Sequence, residues 1–148
     1  MRLMTLTLLM LMPLSLLAGP VTVSGAWVRE PIPGRMMSAA FMQLSNPGTA
    51  DKVLVSARAD WAGSIEIHTH LNDNGVMRMR QIESLTVPAG GAVTLQPGGL
   101  HLMLFRLQLP LSDPLMLELC FADGECQTVA AEIRGMEGAG KGGHHRGH

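Results

Sequence analysis

The chain has 148 residues, which is enough for one domain with a hydrophobic core. Its net charge at neutral pH is −1 and it has no basic patch, so nucleic acid is not an expected partner. It shows neither a phosphate-binding loop nor a Ser-His-Asp pattern in a suitable context, so we do not expect an enzyme.

Residues 1–19 have the form of a secretory signal peptide. Arg2 precedes an apolar run that reaches Leu17, and small residues follow it. Pro13 interrupts the run, which is shorter than the roughly 20 apolar residues of a membrane span. We therefore predict a periplasmic protein that is exported through a cleaved signal and is not stably inserted in the membrane. An uncleaved anchor is the alternative.

Residues 20–134 are predicted to form one all-β domain. Short alternating segments recur along it between turns rich in Gly and Pro, and no sustained 3.6-residue apolar period appears. This pattern favours an antiparallel β-sandwich or barrel. The predicted strands are residues 21–28, 39–46, 51–59, 64–71, 75–83, 92–96, 101–109, 115–121 and 126–134.

The segment around Asn74-Gly75 is predicted to be a β-hairpin that carries two histidines and two methionines. A four-residue loop would place His70 opposite Met77. The same loop would place His68 opposite Met79. A two-residue type I′ turn would instead place His70 opposite Met79. In both registers the four side chains share one face of the hairpin, because side chains alternate with period 2.

A second pair, His101 and Met103, occupies one face of a later predicted strand. Thioether sulfur is a good ligand for Cu(I) and a poor one for Mg²⁺, Ca²⁺ or Zn²⁺, whereas imidazole accepts Cu(I) and Cu(II). The two segments therefore predict a copper site. A blue-copper centre would need a Cys ligand, and neither Cys120 nor Cys126 has a His or Met close behind it.

The sequence resembles the PCu(A)C family of periplasmic copper chaperones over about residues 22–134. The motif that carries the resemblance is His68, ten residues, Met79, twenty-one residues and then His101-Leu102-Met103. The segments "AWVREPIPG", "SAAFMQLSNPG", "GVMRMR" and "VPAGGAVTLQPGGLHLML" are also similar.

The resemblance implies a cupredoxin-like, Greek-key β-sandwich that binds one Cu(I) at a shallow site. It implies copper delivery by ligand exchange, for cytochrome c oxidase CuA assembly, to an oxidase subunit or a Sco-type protein. Copper storage, buffering or detoxification is the alternative function, and a monomer is expected. The implied ligands are His68, Met79, His101 and Met103, and the candidate auxiliary ligands on the same hairpin face are His70 and Met77.

Cys120 and Cys126 flank a predicted turn near the end of the domain. A three-residue loop with Gly124 in the left-handed conformation would place the two cysteines opposite each other. Facing cysteines in an oxidising compartment favour a disulfide. A two-residue turn would leave them diagonal, and a thiol-based copper site is the rival interpretation.

Residues 135–148 are rich in Gly and His and are predicted to form a disordered tail. A His-rich tract binds metal ions. We therefore interpret His144, His145 and His148 as auxiliary ligands that would capture Cu(II) for the main site.

Overall fold

The computed structural model describes residues 19–135, so all but the last residue of the predicted signal peptide, and residues 136–148 of the predicted tail with its three histidines, lie outside the described residues. Every regular secondary-structure element within that range is a β-strand. No helix there is long and apolar enough to cross a membrane. The strands are β1 (Thr22–Arg29), β2 (Met37–Ser45), β3 (Lys52–Arg58), β4 (Ala62–Asp73), β5 (Val76–Ile82), β6 (Leu85–Val87), β7 (Ala92–Leu95), β8 (His101–Leu107), β9 (Leu115–Phe121) and β10 (Cys126–Arg134).

The ten strands form two layers joined where β1 pairs with β10. The first layer has the order β5-β4-β8-β2-β1, with β7 pairing along β2 beyond β8, and the second has the order β10-β9-β3-β6. One apolar core lies between the layers, and its fully buried side chains come from both. The prediction of an all-β sandwich is therefore confirmed. Members of this core are Val28, Leu44, Leu54, Leu102, Leu104, Leu117 and Leu119.

Two features of the sheets go beyond the sequence prediction. The pairing of β1 with β10 is parallel, whereas all other strand pairs in the described range are antiparallel. No hairpin connects β1 to β10, so no local turn dictates their relative direction. Strand β6 was not predicted, because it has three residues and Pro88 follows it directly.

Alternation along β8 separates core residues from candidate ligands. Leu102 and Leu104 are fully buried in the core, so His101 and Met103 face the opposite side of the sheet. Strand β4 pairs antiparallel with β8 and follows the same rule, with Ile67 in the core. The outer face of the first layer therefore carries the candidate ligands of both strands.

The buried side chain of Asn46 stabilises the loop between β2 and β3 by hydrogen bonds to the backbone. Its side chain is 2% exposed, and its Nδ2 donates to the carbonyl oxygens of Ala50 at 2.8 Å and Val87 at 3.0 Å. Its Oδ1 accepts from the backbone N–H of Gly48 at 3.0 Å. One amide thus satisfies three backbone groups around this loop and the end of β6.

We predict that Asn46→Asp lowers the free energy of unfolding by about 2–4 kcal/mol. The substitution removes both donated hydrogen bonds and places a carboxylate in a buried site. Asn72→Asp is the matched control, because exposed Asn72 only accepts a hydrogen bond, from the N–H of Gly75 at 2.7 Å. Urea unfolding of the metal-free proteins measures both changes, and equal losses in the two variants would contradict the assignment.

Candidate metal centre

A cleft of about 260 Å³ opens on the outer face of the first layer. The segment that follows β1 and the turn before β8 contribute its walls, together with residues of β2. Four side chains that the sequence analysis singled out line this cleft. They are His70, Met79, His101 and Met103.

The hairpin between β4 and β5 adopts the two-residue turn. Asp73 pairs with Val76, and the φ angles of Asn74 and Gly75 are 52° and 88°, as a type I′ turn requires. In the resulting register His70 lies opposite Met79. His68 is then opposite Gln81, and Met77 is opposite Asn72.

His101 is the most enclosed of the candidate ligands, with 3% of its surface exposed. Its Nδ1 lies 2.9 Å from the carbonyl oxygen of Gly99, to which an Nδ1–H donates, so that Nε2 carries the free lone pair. Burial lowers the pKa of His101, and the neighbouring His68, His70 and Arg29 act in the same direction, against the hydrogen bond to Gly99. The imidazole is therefore held neutral, which is the form that binds a metal.

His68 lies directly opposite His101 in the β4/β8 ladder, and the two ring centroids are 5.6 Å apart. Its Nε2 is 2.8 Å from Oε2 of Glu66, while its Nδ1 is buried and has no hydrogen-bond partner among the described residues. A buried polar nitrogen without a partner is uncommon in proteins. A metal bound to Nδ1, with Nε2–H donating to the carboxylate of Glu66, would give both ring nitrogens a partner.

Glu66 was not identified as a site residue from the sequence. It precedes His68 by two positions on the same strand face and lies opposite Met103 in the ladder. The i, i+2 spacing of Glu66 and His68 could have identified it. A metal-ligating histidine commonly donates its second ring N–H to a carboxylate.

The two thioethers of the motif differ from the imidazoles in exposure. Met79 is 54% exposed on β5, the edge strand of the first layer, and Met103 is partly buried in the middle of β8. Met77 shares the strand face of Met79 but is 57% exposed and lies outside the cleft lining. The cleft therefore runs from a buried imidazole to an exposed thioether.

Cys120 and Cys126 lie in the second layer and are joined by a disulfide. They pair directly across β9 and β10, and Gly124 in the three-residue turn between Phe121 and Glu125 has a φ of 88°. Their sulfurs and a carboxylate oxygen of Glu118 lie within 4.8 Å of one another. In the oxidised state these sulfurs are bonded to each other and are not thiolate ligands.

Comparison with known proteins identifies one family and several relatives. A family model described as LpqE-like matches residues 21–133. The protein Lxx21020 of Leifsonia xyli subsp. xyli, named as a lipoprotein, is 35% identical over 125 residues, which span 82% of this chain and 74% of that protein.

Two of the structural relatives are described as copper-bound. CuI-DR1885 from Deinococcus radiodurans is 35% identical, with a TM-score of 0.66 over 80% of each chain. The copper-bound PCuAC domain from PmoF2 has a TM-score of 0.67 over 80% of this chain and 95% of that domain, at 19% identity, which shows the fold alone. The prediction of a cupredoxin-like β-sandwich is confirmed by these likenesses.

Acidification is expected to destabilise the metal-free protein through His101. Because burial holds the pKa of folded His101 below 6.5, the unfolded chain takes up its proton at a higher pH than the folded chain does. The free energy of unfolding therefore falls as the pH drops through about 6.5 toward the folded pKa. Urea midpoints at about pH 7.5 and about pH 5.5 measure the fall. His101→Gln should lose part of it, and an unchanged pH dependence in that variant would refute the prediction.

Proposed function

Because the chain belongs to the LpqE-like, PCuAC-type family, we propose that it is a periplasmic copper chaperone that binds Cu(I) between the cleft and His68, which lies beside the cleft opposite His101. Family membership confirms the resemblance found in the sequence. The observation that best supports the proposal is the pair of facing histidines. His101 has an available Nε2, and His68 has a buried Nδ1 without a partner in the described domain.

The proposed Cu(I) ligands are those of the sequence motif. Two imidazoles and two thioethers, without a thiolate, make a soft, neutral donor set that suits Cu(I) in a compartment where thiols are oxidised. None of the thioethers has a proton to lose, so binding and release at them require no proton transfer. The ligands are His68, Met79, His101 and Met103.

Copper transfer would proceed by ligand exchange from the exposed side. An incoming ligand displaces the thioether of Met79 first, because that side chain is more than half exposed on an edge strand. His101 holds copper longest, since it is enclosed and oriented by Gly99. The protein acts as a carrier and needs no catalytic nucleophile.

The proposed recipient is a copper-accepting protein, such as the cytochrome c oxidase subunit that contains CuA or a Sco-type thiol protein. Delivery requires that a monomeric carrier expose its metal to a partner, and the open cleft supports this. Copper storage or buffering would use the same ligands. The two functions differ in whether loaded protein gives up Cu(I) to an apo acceptor subunit.

Loss of both thioethers is expected to remove the Cu(I) site. In the full chain with His144, His145 and His148 replaced by Asn, Met79→Leu/Met103→Leu should weaken Cu(I) binding by about 100-fold, because leucine keeps the volume and removes the sulfur. Met116→Leu is the control, since Met116 is a similarly exposed methionine on β9. Competition against a Cu(I) chelator measures affinity. Equal affinity in the double variant and the control would refute the thioether site.

Glu66→Gln is expected to weaken Cu(I) binding by about tenfold and to leave a single binding equivalent. The amide removes the charged acceptor that orients the ring of His68. Glu83→Gln, at an exposed residue just after β5, is the control and should bind as the unchanged protein does. If Glu66→Gln bound Cu(I) as tightly as the control does, the role given to Glu66 would be wrong.

A further inference from the structure

The disulfide between Cys120 and Cys126 lies on the outer face of the second layer, away from the layer that carries the candidate metal centre. Leu117 and Leu119 are fully buried, so the residues that alternate with them on β9 face outward. Cys126 is exposed and Cys120 is partly buried. These are the two cysteines of the chain, so every thiol measured in this protein belongs to this pair.

The turn that the disulfide closes is also held by other contacts. Buried Lys52 pairs with the carboxylates of both Asp123 and Glu125. The N–H of Glu125 donates to Oδ1 of Asp123 at 3.0 Å, and the N–H of Phe121 donates to the carbonyl oxygen of Glu125 at 2.8 Å. The two cysteines are only six positions apart, and a short loop gains least from a cross-link. We therefore expect the hairpin to keep its fold when the sulfur–sulfur bond is broken.

Two charged side chains contact the sulfur of Cys120. Arg58 donates to Oε1 of Glu118 through Nε at 3.1 Å and also through Nη2. The same Nη2 lies 3.9 Å from Sγ of Cys120, and Oε1 of Glu118 lies 3.7 Å from that sulfur. A neighbouring guanidinium stabilises a thiolate, whereas a neighbouring carboxylate destabilises it. The ease with which Cys120 leaves as a thiolate therefore depends on both charges.

A second cleft, of about 480 Å³, opens beside the disulfide. Glu118 and Thr128 line it and pair with each other across β9 and β10. Each lies two positions from one of the cysteines and shares its strand face. The cleft leaves room for a segment of another chain next to the sulfurs. Exposed disulfides are the ones that thiols reduce most readily.

We propose that the disulfide is a thiol–disulfide exchange centre that a protein dithiol reduces reversibly while the domain stays folded. One thiolate of the dithiol attacks the exposed Sγ of Cys126 and forms a mixed disulfide. The original sulfur–sulfur bond breaks, and Cys120 leaves as a thiolate beside Arg58. This activity goes beyond the proposed copper function and does not depend on it.

The second thiolate of the dithiol then completes the exchange. It attacks the sulfur of its own protein in the mixed disulfide, and Cys126 leaves as a thiolate. The dithiol becomes a disulfide and passes two electrons to the cysteine pair. Its two protons pass to the released thiolates through water.

The test uses the oxidised full chain with a metal chelator present, and dithiothreitol and thioredoxin serve as the small and the protein dithiol. Samples are quenched by alkylation, and mass spectrometry counts free thiols over time. Arg58→Gln and Glu118→Gln are compared with Arg78→Gln. The control removes an exposed arginine that pairs with Asp73 in the first layer. Thermal unfolding of the oxidised and reduced forms verifies folding.

Both dithiols should reduce the parent protein without denaturant, and the reduced form should keep a cooperative thermal transition above the assay temperature. Arg58→Gln should slow the reduction by about threefold or more, and Glu118→Gln should speed it by a similar factor, because the two substitutions remove opposite charges. Arg78→Gln should change neither rate.

Resistance of the folded parent protein to thioredoxin, with reduction only in urea that unfolds it, would overturn the inference. Loss of the cooperative transition on reduction would overturn it as well, because the disulfide would then be structural. Rates that shift in the same direction in Arg58→Gln and Glu118→Gln would overturn the role given to the two charges, since a loosened ion pair affects both variants alike.

Discussion

The burial of alternate residues along β4 and β8 is the constraint on which the site depends. Ile67, Leu102 and Leu104 are held in the core, and the residues between them must face outward. A slip of one residue would turn the imidazoles and thioethers into the core and expose the leucines. The free energy of the hydrophobic core thus fixes the register of the strands that carry the proposed metal ligands.

The proposed site combines donor side chains that differ in how firmly the protein holds them. His101 is enclosed and bonded to Gly99, and His68 is tied to Glu66. Met79 has no such tether and is exposed at an edge strand. A gradient from enclosed nitrogen to exposed sulfur would let copper be retained on one side and approached on the other, as the proposed exchange with a partner requires.

Most of the strands could be predicted from the sequence, but the pairing of some candidate ligands could not. Alternation identified nine of the ten strands and correctly placed four candidate ligands on one hairpin face. Alternation could not distinguish the two hairpin registers, because both satisfy period 2. The positive φ angles at Asn74 and Gly75 show that the hairpin has the two-residue turn. The parallel pairing of β1 with β10 and the contact of Glu66 with His68 depend on tertiary packing and rotamers, which residue spacing alone does not specify.

The buried Nδ1 of His68 lowers the stability of the metal-free protein. A ring nitrogen that is withdrawn from water and lacks a partner costs about 1–3 kcal/mol of folding free energy. Whatever ion or donor reaches that atom returns this free energy and shifts the folding equilibrium toward the native state. On the proposal that this ion is copper, the copper-free protein unfolds more often than the copper-bound one, and proteases act on unfolded chains. We therefore expect the abundance of the protein to follow the supply of the copper that it is proposed to bind.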